Sequence, residues 1–130
     1  MKLTNLDLQQ LGQALAAFDG HQEDGKIVDR VDLPWDVSLA MARNRRALTG
    51  PIADVDAARR ATVAKHTQGA LAIKMDDPAA AACQDELAAL DRQEVEVDLI
   101  RLKIRDLEAK DSNKRAVAPL LAALLPILDA

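Results

Sequence analysis

Leu8, Leu11, Leu15 and Phe18 recur at three- and four-residue intervals and mark one apolar helix face. Thr4 or Asn5 precedes them as a cap, Asp7 falls in the first turn, and Gly20 is placed to terminate the helix. The spacing predicts a helix over residues 5–19. His21 to Asp32 reads as a polar connection, with Ile27, Val28 and Val31 as a short extended piece. Leu33-Pro34-Trp35-Asp36 then opens a second helix, with Pro and Asp at its N-terminal end.

Val37, Met41, Asn44, Leu48, Ile52 and Val55 step by four, three, four, four and three residues, which is one continuous helical stripe. Ala58, Thr62 and Lys65 extend it. Gly50-Pro51 interrupts the stripe without shifting its phase, so either one long helix kinks there or two helices share a face. The stripe should end between His66 and Gly69. Asn44 lies on the apolar side, where it either fixes the register of a helix pair or anchors a local network.

Leu71, Ile73 and Met75 alternate with polar or small residues and predict a short strand. Asp77 as cap and Pro78 as first residue predict a helix to about residue 92, with Cys83, Leu87 and Leu90 buried. Val95, Val97 and Leu99 alternate in one phase; Ile100, Leu102 and Ile104 alternate in the next. That one-residue slip predicts a strand over residues 94–105 carrying a bulge or bend, paired antiparallel with the strand at 71–75. Ser112 or Asn113 should cap a last helix, apolar on most of its circumference through Val117, Leu120, Leu121, Leu124, Leu125 and Leu128. The whole reading is a mainly α (α+β) single domain over residues 1–130. It has four to five helices, a kinked long central helix and a small antiparallel β-hairpin-like element.

Composition supports the helical reading. The chain is 49% hydrophobic but only 2% aromatic, and it has no Tyr; Ala and Leu favour helices. The net charge of -4 counts against general nucleic-acid binding, which needs clustered cations. One cysteine cannot form an internal disulfide. The first residues lack an apolar signal core, and the apolar run from Ala116 to Leu128 is too short to span a bilayer and is broken by Pro119 and Pro126. A cytoplasmic protein that does not enter membranes is expected.

Candidate chemistry is sparse. His21, His66 and Cys83 stand in separate segments, so no metal or cofactor is expected. The segment from His21 to Lys26 resembles a calcium loop only loosely, lacks the distal Glu, and reads as an ordinary turn. No phosphate-binding glycine loop or nucleophile elbow is present, and Ser38 and Ser112 have no triad context. Asp76-Asp77 is explained by helix capping and Asp85-Glu86 by a solvated face. Arg43, Arg45, Arg46, Arg59, Arg60 and Lys65 decorate the central helix. They form either a basic ridge for a partner or a solvated face paired with Asp85, Glu86, Asp91, Glu94, Glu96 and Asp98.

Several pieces in order carry a resemblance. They are Lys2-Leu3-Thr4-Asn5-Leu6-Asp7-Leu8, Leu33-Pro34 before Ala42-Arg43-Asn44, Pro51 in mid-helix and Asp77-Pro78 before Glu86-Leu87. Glu94-Val95-Glu96-Val97-Asp98-Leu99, Ile104-Arg105-Asp106-Leu107-Glu108 and a Leu-rich C-terminal segment complete the set. Over most of its length the chain resembles small uncharacterised proteins encoded by tailed bacteriophages and prophages, departing in a shorter loop at residues 67–75. The resemblance implies a phage or prophage origin and supplies no active residues.

The expected function is therefore non-enzymatic: a phage structural or assembly accessory protein acting through protein–protein contacts, in the host cytoplasm or incorporated in the virion. Val117, Leu121, Leu124 and Leu128 are the expected face for self-association or for a virion protein. The alternative is an inhibitor or regulator of a host (defence) protein, contacting it through Arg43, Arg46, Arg59 and Arg60. A nucleic-acid role on the same ridge is a third reading, opposed by the acidic balance and by the lack of aromatics among the arginines.

Overall fold

Thr4 holds the extended conformation of a cap, and its Oγ1 accepts the Asp7 N–H at 3.1 Å. From it α1 runs Asn5–Ala17 in the computed structural model, which describes residues 1–70, 72–108 and 110–129. Leu8, Leu11, Leu15 and Phe18 are buried, as their spacing predicts. The helix stops at Gly20, whose φ of +75° belongs to the left-handed region. A Cβ there would sit 2.5 Å from the Val28 carbonyl oxygen, so glycine is required.

The connection that follows is a β-hairpin. Strands β2 (His21–Glu23) and β3 (Lys26–Val28) pair antiparallel around Asp24-Gly25, both at positive φ. Asp-Gly is the dipeptide that a two-residue hairpin turn of this hand prefers. The calcium-like segment is thus a turn, and this is the hairpin of the fold.

The central stripe forms a single helix, α2, over Trp35–Thr67, with Pro51 inside it. Pro34 caps it and Asp36 lies in its first turn, where a carboxylate suits the helix dipole. Gln68 and Gly69, both at positive φ, end it. α1 packs antiparallel against its middle, as the Gln9–Asp56 and Asp19–Arg45 bonds require. Gly12 permits that closeness, because a Cβ on it would meet Ile52 Cδ1 at 2.5 Å. α3 (Ala80–Arg92) lies antiparallel along the C-terminal half, fixed by Arg59–Asp91 and Lys65–Glu86. It starts later than predicted: Asp77 Oδ1 accepts the Ala79 N–H at 2.8 Å in the turn before it.

The strand predicted over residues 71–75 is absent among the described residues. Leu71 lies outside the described residues, and residues 72–75 adopt no strand conformation; Met75 is 79% exposed. Its intended partner is already taken. β4 (Glu94–Glu96) pairs antiparallel with β1 (Lys2–Thr4), in the register Lys2↔Glu96, Leu3↔Val95 and Thr4↔Glu94. The long strand predicted over residues 94–105 is also divided. β5 (Leu102–Lys103) joins a different sheet, parallel to β6 (Leu128–Asp129).

The phase slip has a specific cause. Val97 and Leu102 are buried and Leu99 is half-buried, while Ile100 between them turns outward. Asn44, almost wholly buried on α2, takes both backbone groups of Ile100. The Ile100 N–H donates to Asn44 Oδ1 at 2.7 Å, and Asn44 Nδ2 donates to the Ile100 carbonyl at 2.9 Å. Of the two readings for Asn44, the local network is the one formed.

The C-terminal segment is not one helix. α4 (Ile104–Leu107) and α5 (Asp111–Val117) are followed by a 3-10 turn at Ala118–Leu120, then α6 (Leu121–Leu124) and a second 3-10 turn at Leu125–Ile127. Pro119 and Pro126 open the two tighter turns. Asn113 lies inside α5 rather than capping it, fully buried. Its Nδ2 donates to the Asp32 carbonyl at 2.6 Å, and its Oδ1 accepts the Asp32 N–H at 3.0 Å. The apolar residues of this segment join α1, the first half of α2 and the 97–107 stretch in one core.

Replacing Asn44 by Ala leaves the Ile100 N–H and carbonyl without that partner. Asn44→Ala is expected to lower the free energy of unfolding in urea by about 2–3 kcal/mol. Arg46→Ala, exposed two residues away, should change it by less than about 0.5 kcal/mol. Equal effects would mean that the clamp contributes no stability.

Candidate functional site: the outer face of the central helix

The C-terminal apolar face expected to meet a partner faces the chain's own core. Val117 and Leu124 are fully buried, and Leu121 and Leu128 are half-buried against that core. The segment is broken by two proline-led turns, at Ala118–Leu120 and Leu125–Ile127. Leu125, at 64% exposed, is the one of its leucines that faces solvent most fully.

The structure divides the six cations of α2 into two sets. Arg59 Nη1 donates to Asp91 Oδ1 at 2.6 Å, and Lys65 Nζ donates to both Glu86 oxygens at 2.7 and 3.0 Å. Arg45 Nη1 donates to Asp19 Oδ2 at 2.9 Å. Arg59 and Lys65 thus pair with acids of the segment that the sequence offered, whereas Arg45 pairs with Asp19, outside that set. Arg43, Arg46 and Arg60 are exposed and make no ion pair among the described residues. Arg59 therefore leaves the predicted ridge, which separates into an inner flank holding α1 and α3 and an outer set of three.

That outer set shares its face with apolar side chains that sequence reasoning missed. Trp35 is 80% exposed and Leu39, one turn on, is 43% exposed. At 100° per residue, Trp35, Leu39, Arg46, Ala53, Ala57 and Arg60 all fall on the side opposite Val37, Asn44 and Leu48. The signal was present: these residues follow their own three-four spacing, half a turn out of phase with the buried stripe. It was hidden because a Trp beside a helix start normally packs inward.

Two other features belong to the scaffold. A groove of about 580 Å³ runs between α1 and α2, lined by Gln9, Gln13, Arg45, Thr49 and Asp56 among others. Its polar rim is partly satisfied internally, since Gln9 Nε2 donates to Asp56 Oδ1 at 3.1 Å. At the C-terminal end of α2, His66 Nε2 is buried without an aligned hydrogen bond and lies 3.3 Å from Glu86 Oε1. Among the described residues no group of three His, Cys, Asp or Glu side chains could hold a metal ion, and no helix is long and apolar enough to cross a membrane.

Among the described residues, Glu86 is one of two electrostatic links between α2 and α3, beside Arg59–Asp91. The Lys65 hydrogen bond holds its carboxyl below the ordinary value of 4.5, with burial opposing and the neighbouring His66 ring adding to the effect. A depressed carboxylate stabilises the fold above that ordinary value, and the contribution disappears as pH falls through the folded-state value. Glu86→Gln should therefore reduce the urea midpoint at pH 7, and the difference from the native chain should close under acid conditions. A difference that persists undiminished in acid would show that the substitution acts through packing. The chain matches no protein-family model, no curated protein sequence and no solved structure.

Proposed function

We propose that the chain is a non-enzymatic accessory protein of phage or prophage origin that works by protein–protein contact. The observation that carries this reading is the outer face of α2: an exposed Trp and Leu beside three arginines without ion-pair partners among the described residues. Trp and Arg are the side chains most enriched where protein interfaces concentrate their energy. The phage origin rests on the ordered sequence resemblance. Within it, the chain serves as a structural or assembly accessory that engages a virion protein, in the host cytoplasm or carried into the particle.

The unpaired arginines favour a second reading on the same face, an inhibitor or regulator of a host defence protein. A contact steered by exposed charge forms fast and weakens with salt. Burial of Val117 and Leu124 removes the earlier motive for self-association through the C-terminal segment.

A tagged chain used as bait in host lysate and in phage-infected lysate, with and without nuclease and eluted in rising salt, separates these readings. Recovery of a virion protein only after infection supports the assembly role. Recovery of one host protein released by moderate salt supports the inhibitor. Recovery that nuclease abolishes, or no protein above the tag control, would overturn the proposal.

A further inference from the structure

The outer face of α2 has features that select its occupant. From Trp35 to Arg60 it is a track about 38 Å long at the helical rise. Leu39, Arg46, Ala53 and Arg60 fall at seven-residue intervals and so lie along one line of the helix. All four are exposed. The middle of the track carries small residues, Thr49, Gly50, Ala53 and Ala57, which let a second backbone come close. Trp35 and Leu39 supply apolar area at one end, and Arg43, Arg46 and Arg60 supply unpaired positive charge.

Charge decides between candidates. In a second copy packed antiparallel with Ala53 against Ala53, Arg46 would face Arg60. In a parallel pair, Arg46 would face Arg46. Both arrangements set like charges opposite one another, which disfavours association. A polyphosphate fits poorly too, because its evenly repeated charges would also meet Asp36 and Asp54 on the flank of Arg43, whereas a helix can set its carboxylates opposite the arginines alone. Carboxylates spaced along a helix match both the cations and the length.

We propose that the outer face of α2, from Trp35 to Arg60, docks an acidic amphipathic helix of another protein. The apolar side of that helix lies over Trp35, Leu39 and the alanines, and its carboxylates pair with Arg43, Arg46 and Arg60. This rests on the protein-contact reading above and names the chemistry of the partner at that site.

The chain's sole tryptophan is on the face and reports directly. The full chain is titrated with a synthetic helical peptide of about three heptads, carrying Leu and Ala on one side and Glu flanking them. A version with Lys at every Glu position is the control. The acidic peptide should shift Trp35 emission to the blue, and its affinity should fall about tenfold or more as salt rises from about 0.05 to about 0.5 M. The double variant Arg43→Glu/Arg46→Glu should lose about tenfold or more in affinity with unchanged circular dichroism, since both side chains are exposed and unpaired. The charge-reversed peptide should regain binding on that variant. No blue shift at millimolar acidic peptide, equal binding of the basic peptide, or tighter binding of a DNA duplex would overturn the proposal. So would a blue shift produced by raising the chain's own concentration, which would assign the face to a second copy. If these tests fail while the lysate partner still binds the double variant, the protein-contact function stands and this surface does not. If no protein partner is found at all, the function itself falls.

Discussion

Two buried asparagines hold this fold together where secondary structure does not. Asn44 on α2 and Asn113 on α5 each bond both the N–H and the carbonyl of one residue, Ile100 and Asp32 respectively, as a neighbouring strand would. Burying an unpaired amide is costly, and reciprocal bonding cancels that cost at both ends. Neither Ile100 nor Asp32 lies in a strand. Without the clamps, the 97–101 stretch and the entry to α2 would have buried backbone and no ladder. With them, Val97 and Leu102 are held on the core side and Ile100 on the outer side. A third asparagine, Asn5, secures the end of α3 by donating to the Leu90 carbonyl at 2.8 Å.

Around this frame, electrostatics sorts the surface of α2. Cations on its flanks are bonded to Asp19, just beyond α1, and to acids of α3, and hold the three helices in register. Such exposed pairs add little stability individually. Their role is to fix which faces meet. The cations turned away from both neighbours have no such partner among the described residues, and they coincide with the exposed Trp35 and Leu39. That coincidence, rather than any pocket, is what the proposed protein contact depends on.

The C-terminal segment illustrates how a small, aromatic-poor chain fills its core. A single straight helix with leucines all round would have left part of its apolar surface in water. Two prolines divide it into short turns, and Val117, Leu124 and Ile127 along it are fully buried while Leu125 is left facing solvent. The same apolar content that looks like an interface in one dimension is core in three.

The helices were legible from the sequence because their signals are local. Periodicity, the Thr4 cap, Pro34 before the second helix and the Gly20 terminator act through neighbours within one or two turns, and α1 and α2 lie where those signals put them, while α3 begins at Ala80 rather than at Pro78. The paired half of the arginine ridge was legible as well, since complementary charges sat on adjacent elements. Strand pairing was not, because alternation shows that a segment can be a strand without naming its partner. β4 found β1 rather than residues 71–75, since the N-terminal segment was brought beside it by α1. The local pattern of this chain thus determined its helical class and the buried stripe of its central helix. Only the tertiary structure decided which strands pair, that Asn44 captures Ile100, that the C-terminal leucines turn inward and that Trp35 faces solvent. Those outcomes depend on contacts between residues far apart in sequence, where no local rule applies.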